Sequence, residues 1–210
     1  MSGYLTVSRE AESEYTEKRS RFLGLVFPCK TEEEALKVID GVKTRHWDAR
    51  HNCYAFVVDD GRTSRFSDDG EPHGTAGKPI LEVINGRNLK NVGIVVTRYF
   101  GGVLLGTGGL VRAYTAAARD AVENTTLVEM IPCTVFSVEC EYSEHQTLMK
   151  LLENSNAAIK NTEFTHKVKV DFALRDETKE VFIKNLTEIF SAKLTAAEVG
   201  TELSPFEVKI

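Results

Sequence analysis

The chain has 210 residues, 42% hydrophobic and 27% charged, which is typical of folded domains and unlike disordered, collagenous or coiled-coil chains. It shows neither a run of eighteen apolar residues nor a signal-peptide pattern, so a cytosolic (cytoplasmic) protein with no membrane association is expected. The net charge of −5 gives the whole chain no excess of cations for a polyanion. Cys29, Cys53, Cys133 and Cys140 form no Cys-x-x-Cys pair, so we predict reduced thiols rather than disulfides or a zinc site.

Glycine and arginine are concentrated before Pro132. This part of the chain holds 14 of the 15 glycines and 11 of the 12 arginines. Glycine lets a backbone approach a ligand closely, and arginine offers a rigid fork of donors for phosphate or carboxylate. We therefore expect any binding site to lie in the first part of the chain.

The first part alternates strands and helices, after an opening stretch that lacks a clear pattern up to Ser20. The predicted elements are a strand at 22–29, a helix capped by Thr31 and Glu34, a strand at 51–58, a polar loop at 62–76, a helix at 79–85 with proline first, a strand at 92–99 and a helix at 110–124. The β-branched run at 92–99 predicts a strand covered on both faces.

The second part reads as β-α-β-β-α-β, the split βαβ or ferredoxin-like order. The predicted elements are a strand at 133–142, a helix capped by Ser143, strands at 157–165 and 167–174, a helix opened by Asp176 and a short strand at 194–199. Residues 125–132 are predicted to link the parts, which gives domains at 1–128 and 132–210. The fold class is α+β.

Two glycine-threonine segments precede the predicted helices, GTAGKP at 74–79 and GTGGLVR at 106–112. The first turn of a helix has unpaired N–H groups and the positive end of the dipole, so either segment could bind phosphate. The alternative is that the glycines only turn the chain and cap the helices. Neither segment is a nucleotide motif, because Pro72, Pro79 and Val111 stand where the P-loop and dinucleotide patterns need other residues.

Arginines and aromatic residues lie near these segments. Arg112 in a helix first turn opposes the dipole unless it shares an anion with the backbone amides; an ordinary surface ion pair is the alternative. Tyr99, Phe100 and Tyr114 could stack on bases, although Phe100 is expected to be buried. Trp47 is interpreted as a core residue.

Two catalytic arrangements are weaker hypotheses. His51 and Cys53 project from one strand face, as a base and nucleophile could. Asp68, Asp69 and Glu71 could hold magnesium, but the segment DDGEP is equally typical of a solvated turn. We predict no catalytic residue, no cofactor and no metal, and interpret the chain as more consistent with a binding protein than with an enzyme.

Four motifs resemble those of the IMPACT family, in its bacterial YigZ-like branch. They occur in order, as RHNCYA at 50–55, DDGEP at 68–72 with GTAG at 74–77, RYFGG at 98–102 and LGTGGLVRAY at 105–114. The resemblance covers roughly residues 18–125. Beyond Pro132 it rests on pattern more than on motif.

The resemblance implies an N-terminal domain with the ribosomal-protein second-domain-like (elongation factor G domain-four-like) fold, and a ferredoxin-like C-terminal domain. It also implies a link with translation, since eukaryotic members restrain the general-control translation kinase by competing for its activator. We therefore expect a regulator that binds RNA, a ribosome or translation component, or another phosphate-rich partner. The alternatives are an enzyme acting on a small phosphorylated metabolite, with His51 as base, and a protein-binding regulator without nucleic acid.

The expected anion or nucleic-acid site gathers both glycine-threonine segments and the nearby cations. Its predicted residues are Arg50, His51, Arg65, Gly74, Thr75, Gly77, Lys78, Arg98, Gly106, Thr107, Gly108, Gly109, Arg112 and Tyr114.

Overall fold

The computed structural model describes residues 3–208, which divide into two compact units. One unit comprises residues 4–128 with 207–208, and the other comprises residue 3 with 129–206. Within the described residues, no helix is both long enough and apolar enough to cross a bilayer.

The N-terminal unit is built on an antiparallel five-stranded sheet of order β2-β3-β6-β4-β5. Its elements are β1 (Tyr4–Val7), β2 (Ala11–Glu17), β3 (Ser20–Pro28), α1 (Glu32–Arg45), β4 (His51–Val58), β5 (Thr63–Ser67), α2 (Gly77–Gly86), β6 (Val92–Tyr99) and α3 (Gly106–Glu123). The predicted bounds of β4 and β6 are confirmed. The predicted cap of α1 is also confirmed, because Thr31 accepts a hydrogen bond from the backbone N–H of Glu34.

Helices cover the two faces of this sheet unequally. Helix α1 packs on one face, where its Ile39 joins Phe27, Phe56 and Val95 in a buried cluster. Helices α2 and α3 pack on the opposite face in a second, larger cluster. Strand β6 is buried between them over all but its last residue, as the β-branched run predicts.

Several predicted boundaries in this unit are wrong. The stretch before Ser20 contains β1 and β2, and the predicted polar loop contains β5. Helix α2 begins at Gly77, so Pro79 is its third residue, and α3 begins at Gly106 rather than at Leu110. The second glycine-threonine segment is therefore the first turn of a helix and not a loop before one.

The C-terminal unit has the predicted order β-α-β-β-α-β, and this prediction is confirmed. Its elements are β7 (Leu127–Cys140), α4 (Tyr142–Asn154), β8 (Ala158–Phe164), β9 (Val168–Arg175), α5 (Lys179–Ile189) and β10 (Ala197–Glu207). Strand β9 pairs antiparallel with β7 and β8, and β10 pairs with β7. Buried residues of both helices and of β7 and β9 form its core.

Three details of this unit differ from the sequence prediction. The predicted link at 125–132 lies largely within β7, since the strand begins at Leu127. Glu141, not Ser143, caps α4, through a reciprocal capping box with Glu144. Helix α5 begins at Lys179 rather than at Asp176, and β10 is longer than predicted.

Candidate anion-binding site

The first glycine-threonine segment folds around the carboxylate of Asp68. Asp68 Oδ1 accepts hydrogen bonds from the backbone N–H of Ala76 and Gly77 at 3.1 and 2.8 Å, and Oδ2 accepts one from Gly74 at 2.8 Å. These donors lie at the start of α2, where the helix dipole favours negative charge. The phosphate position predicted there is therefore filled by a side chain of the same protein.

This arrangement favours the ionised form of Asp68. Burial opposes ionisation, but the three backbone N–H donors outweigh it and hold the pKa of the carboxyl below its ordinary value. Gly77 permits the close approach of α2 to β5, because a Cβ at Gly77 would stand 2.7 Å from the backbone of Ser67. Thr75 is also buried, and its hydroxyl donates to the Pro72 carbonyl at 2.6 Å. These residues stabilise the start of α2.

A buried ion pair joins the turn after β5 to strand β6. Arg98 Nη1 donates to Glu71 Oε1 at 2.6 Å, and the Tyr114 hydroxyl donates to the same oxygen at 2.8 Å. The side chains of Glu71 and Arg98 are only 3% and 6% exposed. Removing one partner of such a pair typically costs about 3–5 kcal/mol. We conclude that Arg98 and Tyr114 hold this part of the fold together.

Arg98 and Tyr114 therefore do not offer the surfaces that the sequence prediction assigns to them. The charge of Arg98 is neutralised by Glu71, although its Nε has no hydrogen-bond partner among the described residues. Tyr114 is fully buried, with its ring edge-on to Phe22, and burial raises the pKa of its hydroxyl. The ring has no free face for a base, so the stacking role suggested for Tyr114 does not hold.

His51 and Cys53 do not form a catalytic dyad. The Cys53 thiol is fully buried and donates to the Asp68 carbonyl at 3.0 Å. Burial raises the pKa of this thiol, so it is not an activated nucleophile. His51 Nδ1 instead lies 2.7 Å from the Asp69 carbonyl, and its Nε2 lies 3.8 Å from Glu71 Oε1.

In the acidic turn at 68–71, each of the three carboxylates already has donors within the protein. Asp68 is held by the amides of α2 and Glu71 by Arg98 and Tyr114. Asp69 accepts from the Asn52 N–H at 2.7 Å and from Lys43 at 3.2 Å. Across residues 3–208, no three His, Cys, Asp or Glu side chains are grouped as metal ligands would be. The three carboxylates are thus engaged by separate donors.

The second glycine-threonine segment presents an open helix start. Helix α3 is 18 residues long, and its first turn contains no acidic residue and receives no side-chain cap from any residue that the structure describes. Gly106, Thr107 and Gly108 are exposed, whereas Gly109 is buried. The N–H groups at this end are consequently available to an external acceptor.

Arg112 lies beside this open turn. Its Nη1 is 3.7 Å from the position that a Cβ on Gly108 would take, so the guanidinium folds back along the first turn. Arg119, further along the same helix, pairs with Asp120 and Glu123. Arg112 makes no such ion pair with any described residue. An amide-rich helix start and an unneutralised guanidinium are therefore brought together here.

The other predicted cations are distributed differently. The backbone N–H of Arg50 donates to the Arg98 carbonyl at 3.0 Å. The exposed Arg50 therefore lies directly before the start of β4. Lys78 is exposed in the first turn of α2. Arg65 pairs with Glu32 of α1 at 2.7 Å, and its register partner Phe56 faces α1. Arg65 therefore lies on the other face of the sheet from α2 and α3.

Two aromatic residues are more exposed than the sequence suggests. Trp47 is 83% exposed and Phe100 is 48% exposed, so the expectation that both are buried is wrong. Leu104, two residues before α3, is 82% exposed. Hydrophobicity alone assigns such side chains to a core; the neighbouring turn residues and arginines were the available signal of a surface role.

Two family models match successive parts of the chain. The model described as the Impact N-terminal domain matches residues 18–122. A model described as a domain of unknown function (DUF1949) matches residues 138–193. The first match contains both glycine-threonine segments, and the second lies within the C-terminal unit.

Relatives and a solved structure match most of the chain. The IMPACT family member YvyE of Bacillus subtilis is 34% identical over 92% of this chain and 89% of its own length. The IMPACT family member YigZ of Escherichia coli is 39% identical over 70% of this chain and 74% of its own. A solved structure described as "Crystal structure of an hypothetical protein" is 33% identical, covers 95% of this chain and 98% of its own, and superposes with a TM-score of 0.61.

Proposed function

This chain belongs to the IMPACT family, as its motifs predict, and on that premise we propose that it is a cytosolic, translation-linked regulator that binds RNA through the start of α3. The observation that carries the proposal is the exposed, uncapped first turn of α3 with Arg112 folded beside it. We further infer that the N-terminal unit has the ribosomal-protein second-domain-like fold and that the C-terminal unit is ferredoxin-like.

The starts of α2 and α3 differ in a way that supports phosphate binding at α3. At α2 the amides and the dipole are satisfied by the carboxylate of Asp68. At α3 no side chain of residues 3–208 supplies that negative charge. A phosphate group at α3 would accept from the free amides and from Arg112, the same chemistry that Asp68 provides at α2.

RNA is the partner that matches this chemistry within a translation complex. A phosphate backbone presents repeated acceptors, and Arg50 adds a second exposed cation at the same end of the sheet. The net charge of −5 limits binding to this local region. We therefore expect a contact of few phosphates that depends on the structure of the RNA.

Arg112→Ala tests the proposal. We expect the substitution to weaken binding of a fluorescently labelled structured ribosomal RNA fragment by about five- to thirtyfold, because charge-assisted contacts contribute roughly 1–2 kcal/mol. Fluorescence anisotropy measures the affinity. Arg119→Ala, on the same helix, is the matched control and should bind like the parent protein. Absence of RNA binding, or equal binding by the Arg112 variant, would remove the proposal.

The orientation of His51 favours a second candidate function, that of an enzyme. His51 Nδ1 lies 2.7 Å from the Asp69 carbonyl, which orients the ring and leaves Nε2 without a hydrogen bond to any described residue, 3.8 Å from Glu71 Oε1. A general base needs such a ring nitrogen. The substrate would be a small phosphorylated metabolite bound at the α3 start. Thermal shift with a panel of phosphorylated metabolites, alongside the RNA titration, distinguishes the two: stabilisation by one metabolite without RNA affinity favours the enzyme.

A further inference from the structure

Three segments of the N-terminal unit meet at one end of its sheet, and we call this end the rim. The rim comprises the β2–β3 turn (18–19), the α1–β4 connection (46–50) and the β6–α3 connection (100–105). The strand register brings them together, because Arg98 pairs with His51 and Tyr99 pairs with Arg21. The rim carries Trp47, Phe100 and Leu104, all exposed.

Trp47 projects from a turn that is fixed on both sides. His46 Nδ1 lies 2.9 Å from the Tyr99 hydroxyl, which donates to Asp48 Oδ1 at 3.2 Å. The backbone N–H of Ala49 donates to the His46 carbonyl at 3.0 Å. The indole is therefore presented to solvent by an ordered turn, and a partner that covers it would gain apolar contact without first ordering the loop.

The rim that carries Trp47 also carries three cations, and the carboxylate of Asp48, next to Trp47 in the chain, accepts a hydrogen bond from Tyr99. Arg50, Lys18 and Arg19 are exposed, and none of them forms an ion pair with a described residue. The acidic neighbours on β2 are already engaged, since Glu12 pairs with Arg45 at 3.6 Å and Glu14 with Arg21 at 2.8 Å. An exposed aromatic ring and unpaired cations on the same rim favour a ligand with a flat face and a negative backbone.

We propose that Trp47 is a stacking platform for an unpaired nucleobase of single-stranded RNA, with Arg50 on the adjacent phosphate. This inference rests on the proposed function and specifies the kind of RNA. A base in a duplex has both faces covered by its neighbours, whereas an unpaired base presents a face to the indole. The cations distinguish this ligand from an apolar protein surface, which would leave them without partners.

The chain contains a single tryptophan, so its emission reports on the rim directly. The full chain is titrated with a ten-nucleotide oligoadenylate, and separately with the same strand in a duplex with oligouridylate. We expect saturable quenching by the single strand and little change with the duplex.

Trp47→Ala should weaken single-strand affinity, measured by anisotropy of the labelled strand, by about fivefold or more. Phe164→Ala, at a similarly exposed aromatic residue of β8 (61% exposed), is the matched control and should bind like the parent.

The outcomes separate this inference from the proposed function. If RNA binds and Arg112→Ala weakens it, while tryptophan emission and the Trp47→Ala affinity stay unchanged, the stacking inference is overturned and the proposed function stands. Equal quenching by single strand and duplex overturns the assignment to unpaired bases. If neither oligoadenylate nor structured RNA binds, both proposals fall. Circular dichroism of each variant verifies that the fold is intact.

Discussion

Asp68 is the single residue that decides which helix start is available to a ligand. Replacing it by asparagine keeps one acceptor oxygen but removes the charge from the start of α2, where a negative charge typically contributes about 0.3–1 kcal/mol. We therefore expect Asp68→Asn to lower the thermal unfolding temperature of the protein near pH 7. Thermal unfolding followed by circular dichroism measures the difference.

The decrease in unfolding temperature caused by Asp68→Asn should depend on pH in a defined direction. The pKa of Asp68 is held below its ordinary value of 3.8, so its contribution is present above that value and is lost as the pH falls through the folded-state pKa. The difference between parent and variant should accordingly shrink in acid. Asp40→Asn, at an exposed side chain of α1, is the control. If the difference in unfolding temperature between parent and variant stays constant from neutral pH into acid, the ionised Asp68 does not stabilise the start of α2 through its charge.

Residue types alone predict the acidic turn and the aromatics poorly, for a physical reason. The sequence alone does not distinguish a carboxylate that binds a metal, as suggested for Asp68 and Glu71, from one that accepts hydrogen bonds from backbone amides or an arginine. The donors that decide this come from distant segments, such as Arg98 and Tyr114 for Glu71. Trp47 shows the same limit, because its apolar ring favours burial while the turn that carries it points to solvent.

At the scale of elements, α3 offers a substitution with opposite effects on stability and on binding. Thr107→Asp places a carboxylate in the exposed first turn, where the helix dipole favours it by about 0.3–1 kcal/mol. We expect a slightly higher unfolding temperature together with loss of affinity for RNA, because the new carboxylate occupies the amides and repels phosphate. Thermal unfolding and RNA anisotropy measure the two effects.

Thr107→Asn is the matched control for this experiment. It has the shape of aspartate without the charge, so it should change RNA affinity much less. Retained RNA binding by the aspartate variant would show that phosphate does not bind at the α3 start, whatever happens to stability.

Elements with a strong apolar pattern are predicted well, and those at sheet edges are not. Strands β4 and β6 are central and apolar, and their predicted bounds are confirmed. Strands β2 and β5 lie at the two edges and consist largely of polar residues, AESEYTE and TSRFS, so they give little hydrophobic signal. The start of α3 was missed because three glycines resemble a loop, although the exposed first turn is the candidate site.

For the molecule as a whole, the acidic net charge and the local cations act in opposite directions on a nucleic acid. A charge of −5 repels a polyanion at long range. Attraction comes from a few side chains around the rim and the α3 start, chiefly Arg50 and Arg112. Such a protein should bind RNA weakly, with a salt dependence set by the number of local contacts.

The salt dependence of RNA affinity measures the number of phosphates that the protein contacts. For single-stranded RNA the logarithm of affinity falls with the logarithm of salt concentration by about 0.7 for each phosphate neutralised. With two to four contacts, the slope should lie between about −1.4 and −2.8, which raises Kd roughly seven- to fiftyfold from about 50 to 200 mM salt. Arg112→Ala should make the slope shallower by about 0.7, whereas Arg119→Ala should leave it unchanged. A slope near zero would mean that binding does not use phosphate, and a slope steeper than about −5 would require more cations than the α3 start and the rim expose.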